Sequence, residues 1–303
     1  MNNEYYCGLA NHGNTCFFNS AIQSILRCSV FINFISNLEI EDELIIIMKD
    51  FINDYKKNSN GSISLSKLIK YYTKLNPDYR IGNQDDGDEV IVKIIGRIDD
   101  IIKKEIKEGR LKNSTIKGEI TVEKMMEYLF GVKIRTTTKC TKCNNSSIYE
   151  VVEFMLKLPI KGDTIEELLK NYSTIEQMTG DEQYDCNKCE RKVDALKIDT
   201  VMKTPKYLHL NIKRFEFNKN YKRSSKNDES VICKPNLTIC NNTYNLRGIV
   251  HHMGSYNGGH YIYNYNKNKN TSSEDWICLD DSRISTKNVI NEVNKGYVYL
   301  YVK

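Results

Sequence analysis

The sequence predicts an α+β fold, with helices first and strands after. Apolar residues recur at helical spacing through roughly the first 115 of the 303 positions. From about residue 130 short alternating or aromatic-rich segments replace them. No internal repeat and no long Pro/Gly/Ser linker divides the chain, so its parts are expected to pack as one unit.

Phe18, Ile22, Ile25 and Leu26 follow Asn14 and Thr15, a pattern that predicts a capped helix. Further helices are expected at 44–55, 64–75 and 89–107. Strands are expected at 132–138, 147–159, 207–217, 244–252, 260–265, 276–280 and 297–302. One helix, 164–172, interrupts them; Asp163 reads as its cap, and Glu166 and Glu167 suit its first turn. The segments 218–230 and 266–275 are too polar for a core and read as loops.

Hydrophobic residues make up 40% and charged residues 27% of the chain, a globular balance. A net charge of +5 is far from the basic footprint of a nucleic-acid binder. No run approaches the ~18–20 apolar residues of a membrane helix, and the first residues lack the basic and apolar regions of a signal peptide. The expectation is an intracellular protein of cytoplasm or nucleus, off the membrane. There its ten cysteines stay reduced and serve thiol or metal chemistry rather than disulfides.

Two CxxC pairs, Cys140 with Cys143 and Cys186 with Cys189, are the sharpest local signal. Four thiolates suit tetrahedral zinc, and four protein ligands leave no open position, so the metal is expected to be structural. The long interval between the pairs predicts knuckles at the tips of two long hairpins. Two accidental CxxC pairs and a redox CxxC are the competing readings.

Cys16 opens the first helix after a Gly13 turn, and a helix N-terminus lowers a cysteine pKa. Asn11, on the loop feeding that turn, is placed to donate to an oxyanion beside the sulfur. His260 follows a glycine pair, Gly258 and Gly259, that leaves room for a substrate backbone. If the next two strands fold about a loop centred near Asn270, Trp276 pairs with Asn264, Cys278 with Ile262 and Asp280 with His260. Alternation then puts Asp280 and His260 on one face and Asp281 on the other. Asp280 is the expected third member of a catalytic triad, and Asp281 its backup if a bulge intervenes. In these roles His260 takes the thiol proton and returns one to the leaving amine, while Asp280 orients the imidazole.

These segments resemble the ubiquitin-specific protease family. Gly8-Leu-Ala-Asn11-His-Gly13-Asn14-Thr-Cys16-Phe-Phe-Asn19-Ser20, followed by Gln23, is similar to its cysteine box. The stretch 252–261 resembles its histidine box, 276–281 its third-member strand, and Leu210-Asn-Ile-Lys213-Arg214-Phe215 an internal strand. The similarity runs from Tyr6 to Tyr301, and the two CxxC pairs match the family's zinc-binding fingers. The Cys-Gly-Ser-Cys-Trp surroundings of papain itself are absent.

The resemblance implies a papain-like cysteine protease fold in one domain, 6–303. A helical thumb spans about 8–115 and zinc-binding β fingers lie mainly within 132–200. A mixed palm takes 116–131 and 201–303. It implies a monomeric deubiquitinase that cleaves after the C-terminal Gly-Gly of ubiquitin through a Cys16 thioester. One zinc ion, no organic cofactor, and ubiquitin and ubiquitinated proteins as partners go with that reading. Asp86, Gln84, Gly258, Gly259 and Tyr261 become expected substrate contacts, and the loops 218–230 and 252–259 the cover of the ubiquitin tail. Two departures stand out: Asp85 replaces a glutamine before Asp86, and Phe17 replaces a common tyrosine. On this reading the chain is expected to carry little beyond such a domain. The alternatives are a protease for another ubiquitin-like modifier and a non-catalytic ubiquitin-binding scaffold; intact Cys16, His260 and Asp280 weigh against the scaffold.

Overall fold

The computed structural model describes residues 6–58, 61–218, 223–256, 258–267, 276–286 and 292–303. Strand β1 (Gly8–Leu9) leads into helices α1 (Cys16–Leu26), α2 (Ser29–Asn37) and α3 (Glu43–Lys57). Then come β2 (Ser62–Ile63), α4 (Ser66–Leu75), α5 (Gly87–Lys107), the small hairpin β3 (Thr115–Lys117) and β4 (Ile120–Thr121), and α6 (Met125–Phe130). Helices α2 and α6 go beyond the sequence expectation. β2 pairs in parallel with β1, tying the loop before Cys16 to the helical layer.

Helix α1 sits at the centre of the molecule. Ten of its eleven residues are buried, including Asn19, Ser20, Gln23 and Ser24. A helix buried on all sides must satisfy its polar groups internally. Gln23 Nε2 donates to Cys7 O (2.8 Å), and Tyr55 Oη donates to Gln23 Oε1 (2.8 Å). Ser20 Oγ donates to Phe17 O (3.0 Å), and Ser24 Oγ meets His209 Nε2 (3.1 Å). Phe17, Phe18, Ala21, Ile22 and Ile25 fill the remaining faces. Each such apolar burial contributes roughly 1.5–3 kcal/mol for the larger side chains.

The strands form two main sheets. Strands β5 (Val132–Cys140) and β6 (Ser146–Glu153) make a long hairpin; β7 (Leu156–Pro159) and α7 (Ile165–Tyr172) follow. Next are β8 (Glu176–Met178), the short hairpin β9 (Tyr184–Cys186) and β10 (Arg191–Val193), and β11 (Ala195–Lys203). The finger sheet has the order β6-β5-β11-β8. The 147–159 segment, expected as one strand, breaks at the buried Met155, and its halves join different sheets. The cap of α7 is Thr164, not Asp163: Thr164 Oγ1 accepts from Glu167 N, and the Glu167 carboxylate accepts from Thr164 N in a reciprocal capping box.

The rest of the chain builds the larger sheet. Its strands are β12 (Tyr207–Lys213), β15 (Asn236–Ile239), β16 (Asn242–Ser255), β17 (Gly258–Asn266), β18 (Trp276–Asp280), β19 (Arg283–Thr286) and β20 (Val298–Val302); β13 (Phe215–Asn218) and β14 (Arg223–Lys226) form a separate hairpin. The order is β19-β18-β17-β16-β20-β12-β7, with β15 on β16 and only β12–β7 parallel. The expected 207–217 strand breaks at Arg214. Its guanidinium is buried and donates to the carbonyls of Gly296, Asn227, Glu229 and Asn294, which satisfies a charge taken out of water. Part of the expected 218–230 loop is strand β14, because Ser224–Lys226 complete the ladder with Phe215–Phe217. Its positions 219–222, and 268–275 of the other polar loop, lie outside the described residues.

β17 faces α1 with Tyr261, Tyr263 and Tyr265. Gly248 has to be glycine here: a Cβ would lie 1.9 Å from Tyr263 Oη. Helices and larger sheet therefore share one core, and their junction carries the site. Among the described residues no helix is long and apolar enough to cross a membrane.

Candidate active site

Cys16 is the first residue of α1 and only 2% exposed. The loop before it is ordered by one side chain. Asn11 Oδ1 accepts from Gly13 N (3.0 Å), Thr15 N (3.2 Å) and Thr15 Oγ1 (3.3 Å). Asn14 adopts a left-handed conformation (φ 57°) and donates from Nδ2 to Gly82 O (2.8 Å). The Thr15 side chain does not cap the helix: its hydroxyl is committed within the loop to His12 N and Asn11 Oδ1, while the Asn14 amide reaches across to Gly82. Burial pushes the Cys16 thiol up, outweighing the N–H groups of Tyr261 and Phe17 that favour the thiolate. The expected lowering at the helix start is thereby overturned: α1 begins inside the core, and desolvation exceeds the helix-end effect. The free protein holds a thiol that needs a base.

His260 lies on β17, and its Nε2 donates to Asp280 Oδ1 on β18 (2.6 Å). The register differs from the expected one. Asn264 pairs with Cys278 and Asn266 with Trp276, a slip of two residues. A two-residue slip preserves the face, so Asp280 meets His260 diagonally instead of directly opposite. With Nε2 engaged, Nδ1 is the ring nitrogen left for the thiol. No hydrogen bond joins Cys16 to His260 among the described residues; such contacts are often long before substrate binds. The next residue of His260, Tyr261, points its N–H at the Cys16 sulfur.

Asp281 stays close to the pair, with a carboxylate oxygen within 4.8 Å of the His260 ring nitrogen, but its hydrogen bonds go elsewhere. Its backbone is left-handed (φ 50°), and its carboxylate accepts from Asn11 Nδ2 (2.7 Å) and Asn19 Nδ2 (2.8 Å). Asp281 O also accepts from Leu9 N (2.8 Å). Asn11 thus has its oxygen turned into the loop and its nitrogen held toward Asp281, with one amide hydrogen to spare. Asn19 is a site residue that periodicity hides. It sits mid-helix among apolar neighbours, and only its motif context singles it out.

The expected substrate contacts gather at the start of α5. Gln84 Nε2 donates to Gly259 O (2.6 Å), and Gly259 N donates to Gln84 Oε1 (3.1 Å). Gly259 has no room for a side chain against β16, where a Cβ would lie 2.2 Å from Met253 O and 2.4 Å from His252 Nε2. Gly258 lies beside Gln84, whose Oε1 would be 3.5 Å from a Cβ there. Tyr261 is buried and donates from Oη to Asp86 Oδ1 (3.4 Å). Asp86 lies at the rim; desolvation of its carboxyl, then Asp88 and Asp85, push it up to about 6. Asp85, the unusual residue, is structural: it accepts from Tyr72 Oη (3.0 Å) and Asn76 Nδ2 (2.8 Å), pinning the end of α4.

The four CxxC sulfurs converge at the fingertip, all within 4.8 Å of one another. Cys140 Sγ lies 3.9 Å from Cys189 Sγ, and Cys143 Sγ 3.7 Å from Cys186 Sγ. Zinc–sulfur bonds of about 2.3 Å at tetrahedral angles put sulfurs about 3.8 Å apart, so the donor set fits zinc. The N–H groups of Lys142 and Cys143 point at Cys140 Sγ (3.3 and 3.4 Å). Only one of the two hairpins is long; the Cys186–Cys189 knuckle tops the three-residue strands β9 and β10. The site binds a structural zinc ion through these four cysteines.

Comparison with known proteins agrees with this architecture. Residues 7–301 match the family model for ubiquitin carboxyl-terminal hydrolase. The chain is 25% identical to ubiquitin carboxyl-terminal hydrolase 12 of Salmo salar, over 99% of this chain and 90% of that protein. It is 22% identical to ubiquitin carboxyl-terminal hydrolase 4 of Arabidopsis thaliana, over 98% and 93%. Among solved structures it resembles a chain of the SAGA DUB module of Ubp8, Sgf11, Sus1 and Sgf73 bound to monoubiquitin. That match has a TM-score of 0.71 at 24% identity, covering 98% of this chain and 69% of that one. Helices, sheet and cysteine-tipped fingers are those of a ubiquitin-specific protease, and with nearly its whole length inside the family model the chain belongs to the ubiquitin carboxyl-terminal hydrolases, as a cysteine-type deubiquitinase.

Proposed function

We propose that the chain binds ubiquitin and hydrolyses the bond after its C-terminal Gly-Gly, with Cys16 as nucleophile, His260 as base, Asp280 as its orienting acid and Asn11 as oxyanion donor. The hydrogen bond from His260 Nε2 to Asp280 carries the reading, because it leaves Nδ1 as the only ring nitrogen free for a thiol. His260 takes the Cys16 proton, and the thiolate attacks the terminal glycine carbonyl. Asn11 Nδ2 and the N–H groups at the start of α1 stabilise the oxyanion. The imidazolium, supported by Asp280, protonates the leaving amine as the carbon–nitrogen bond breaks. Water, deprotonated by His260, then attacks the thioester, and the Cys16 thiolate leaves.

Asp281 has a separate task, holding Asn11. Gln84, Gly258, Gly259, Tyr261 and Asp86 line the groove for the glycine tail. We take 6–303 as one domain, with thumb, fingers and palm divided near 115, 132 and 200, acting as a monomer inside the cell.

A ubiquitin probe with a thiol-reactive C-terminus tests the reading, beside matching probes for other ubiquitin-like modifiers and a Cys16→Ala control. A ubiquitin adduct lost in Cys16→Ala is expected. Reaction with another modifier alone moves the substrate assignment to it, and reaction with none leaves a scaffold.

A further inference from the structure

The arm that carries His260 is gripped on both of its outer edges. β16 pairs with β20 as far as Val250, then runs on to Ser255 beside β17 alone. Across that hairpin Met253 pairs with His260 and Gly254 with Gly259. Met253 O points toward β17, since a Cβ on Gly259 would lie 2.2 Å from it. By alternation the carbonyls of His252 and Gly254 point outward, to an edge with no strand beside it among the described residues. Gly259 likewise turns its N–H and C=O outward on the other edge, where Gln84 takes both.

One side chain meets the two carbonyls on the β16 edge. Lys226, on β14, has a side chain only 9% exposed. Its Nζ donates to His252 O (2.9 Å) and Gly254 O (3.1 Å) and pairs with Asp228 Oδ1 (2.8 Å). An ammonium has three hydrogens, and all three are used. We propose that Lys226 is a positioning residue for the reaction: it stands in for the missing strand beside β16 and holds the hairpin that presents His260.

Taking an ammonium this far out of water is unfavourable unless every hydrogen is bonded, so its geometry is tied to that of the edge. Its charge has a second effect. Burial first, and then the Lys226 charge, push His252 down to about 4. His252, packed on the ring of Tyr261, therefore stays neutral near neutral pH. Lys226 touches neither Cys16 nor His260, so it acts through the backbone.

The proposal rests on His260 as the base, and two readouts keep the failures apart. Lys226→Met keeps the packing of the stem, and Lys226→Ala is a second removal. Turnover of a fluorogenic ubiquitin C-terminal amide is measured on the full zinc-loaded chain, with active sites counted by the ubiquitin probe. The expectation is a fall in kcat per counted site of about 10- to 100-fold with KM held within about twofold, the size of effect a misplaced catalytic group produces. Lys226→Arg, with donors for both carbonyls, recovers most of the loss. Asp228→Asn, an exposed position, stays near wild type. The rate of Cys16 alkylation by iodoacetamide at neutral pH, read by mass spectrometry, needs no ubiquitin and is expected to fall in parallel. An unchanged kcat per site, or an unchanged alkylation rate, in a folded Lys226→Met or Lys226→Ala variant overturns the proposal whatever the melting temperature does. A wild type that ignores ubiquitin but alkylates faster than these variants would sink the substrate reading and support Lys226.

Discussion

Asp281→Asn separates the two neighbouring acids. Asparagine tolerates the left-handed backbone at φ 50°, so the turn survives. The carboxamide offers one acceptor oxygen where the carboxylate offered two, and Asn11 Nδ2 and Asn19 Nδ2 (2.7 and 2.8 Å) both donate there. One of them must face an N–H₂ group instead. Asn19 is buried and Asn11 exposed, so Asn11 is the one released. Asn11 keeps three donors on its oxygen, so its loss of order is partial. Deleting an oxyanion donor outright costs about 10²–10³ in kcat, or ~2.7–4 kcal/mol. We expect Asn11→Ala to fall in that range and Asp281→Asn to lose roughly tenfold, about 1.4 kcal/mol. A double-mutant cycle on the fluorogenic ubiquitin amide tests the link. If Asp281 acts through Asn11, the double variant is no slower than Asn11→Ala within about twofold. A further tenfold drop in the double variant would refute the assignment.

His260→Ala should slow iodoacetamide alkylation of Cys16 at neutral pH. Burial holds the thiol above its ordinary pKa, so without a base the thiolate fraction is small and the rate recovers only as pH rises; a flat pH profile would contradict this. Asp86→Asn should be more stable than wild type above about pH 6 and indistinguishable near pH 4. The Asp86 carboxyl keeps its proton to about 6 when folded but loses it near 4 when unfolded, so wild-type stability falls as pH rises between those limits. The check is the difference in melting temperature across that window. Cys140→Ser should abolish bound zinc and loosen the fingertip while leaving the helical layer folded, because the tip buries little besides Cys140, Cys186 and Val193; metal analysis and hydrogen exchange at β9 and β10 read it out. Asp280→Asn should slow turnover by about tenfold or more, since a hydrogen bond to a charged group is worth ~1.5–3 kcal/mol and this one is partly solvated; unchanged kcat would remove Asp280 from the mechanism.

Much of this arrangement is legible in the residues because the motifs are local. The loop around Asn11 closes on itself through contacts of two to four residues, and each CxxC knuckle is one turn. Periodicity finds α3, α4 and α5 because their apolar stripes are long. Pairing between distant segments is harder. The β17–β18 register depends on a loop whose shape the composition does not specify, which is why Asp280 lies two residues from its expected partner. Its face survives, since alternation is indifferent to a slip of two. The task of Asp281 is invisible to alternation, because the residue leaves the strand in a left-handed turn. The breaks at Met155 and Arg214 depend on what packs against them, and so does the raised Cys16 thiol. Lys226 reads as an ordinary loop lysine until the free edge of β16 is seen.

The burial of α1 has a consequence for how the protein ages. Reactive residues often sit on mobile loops that fail before the rest of a molecule does. Here the sulfur begins the helix on which both the helical layer and the sheet are packed, so small openings of the structure leave it in place. Heating should abolish activity and near-ultraviolet dichroism together, in a single transition. Until then the Cys16 sulfur, only 2% exposed, is shielded from stray oxidants in the free state.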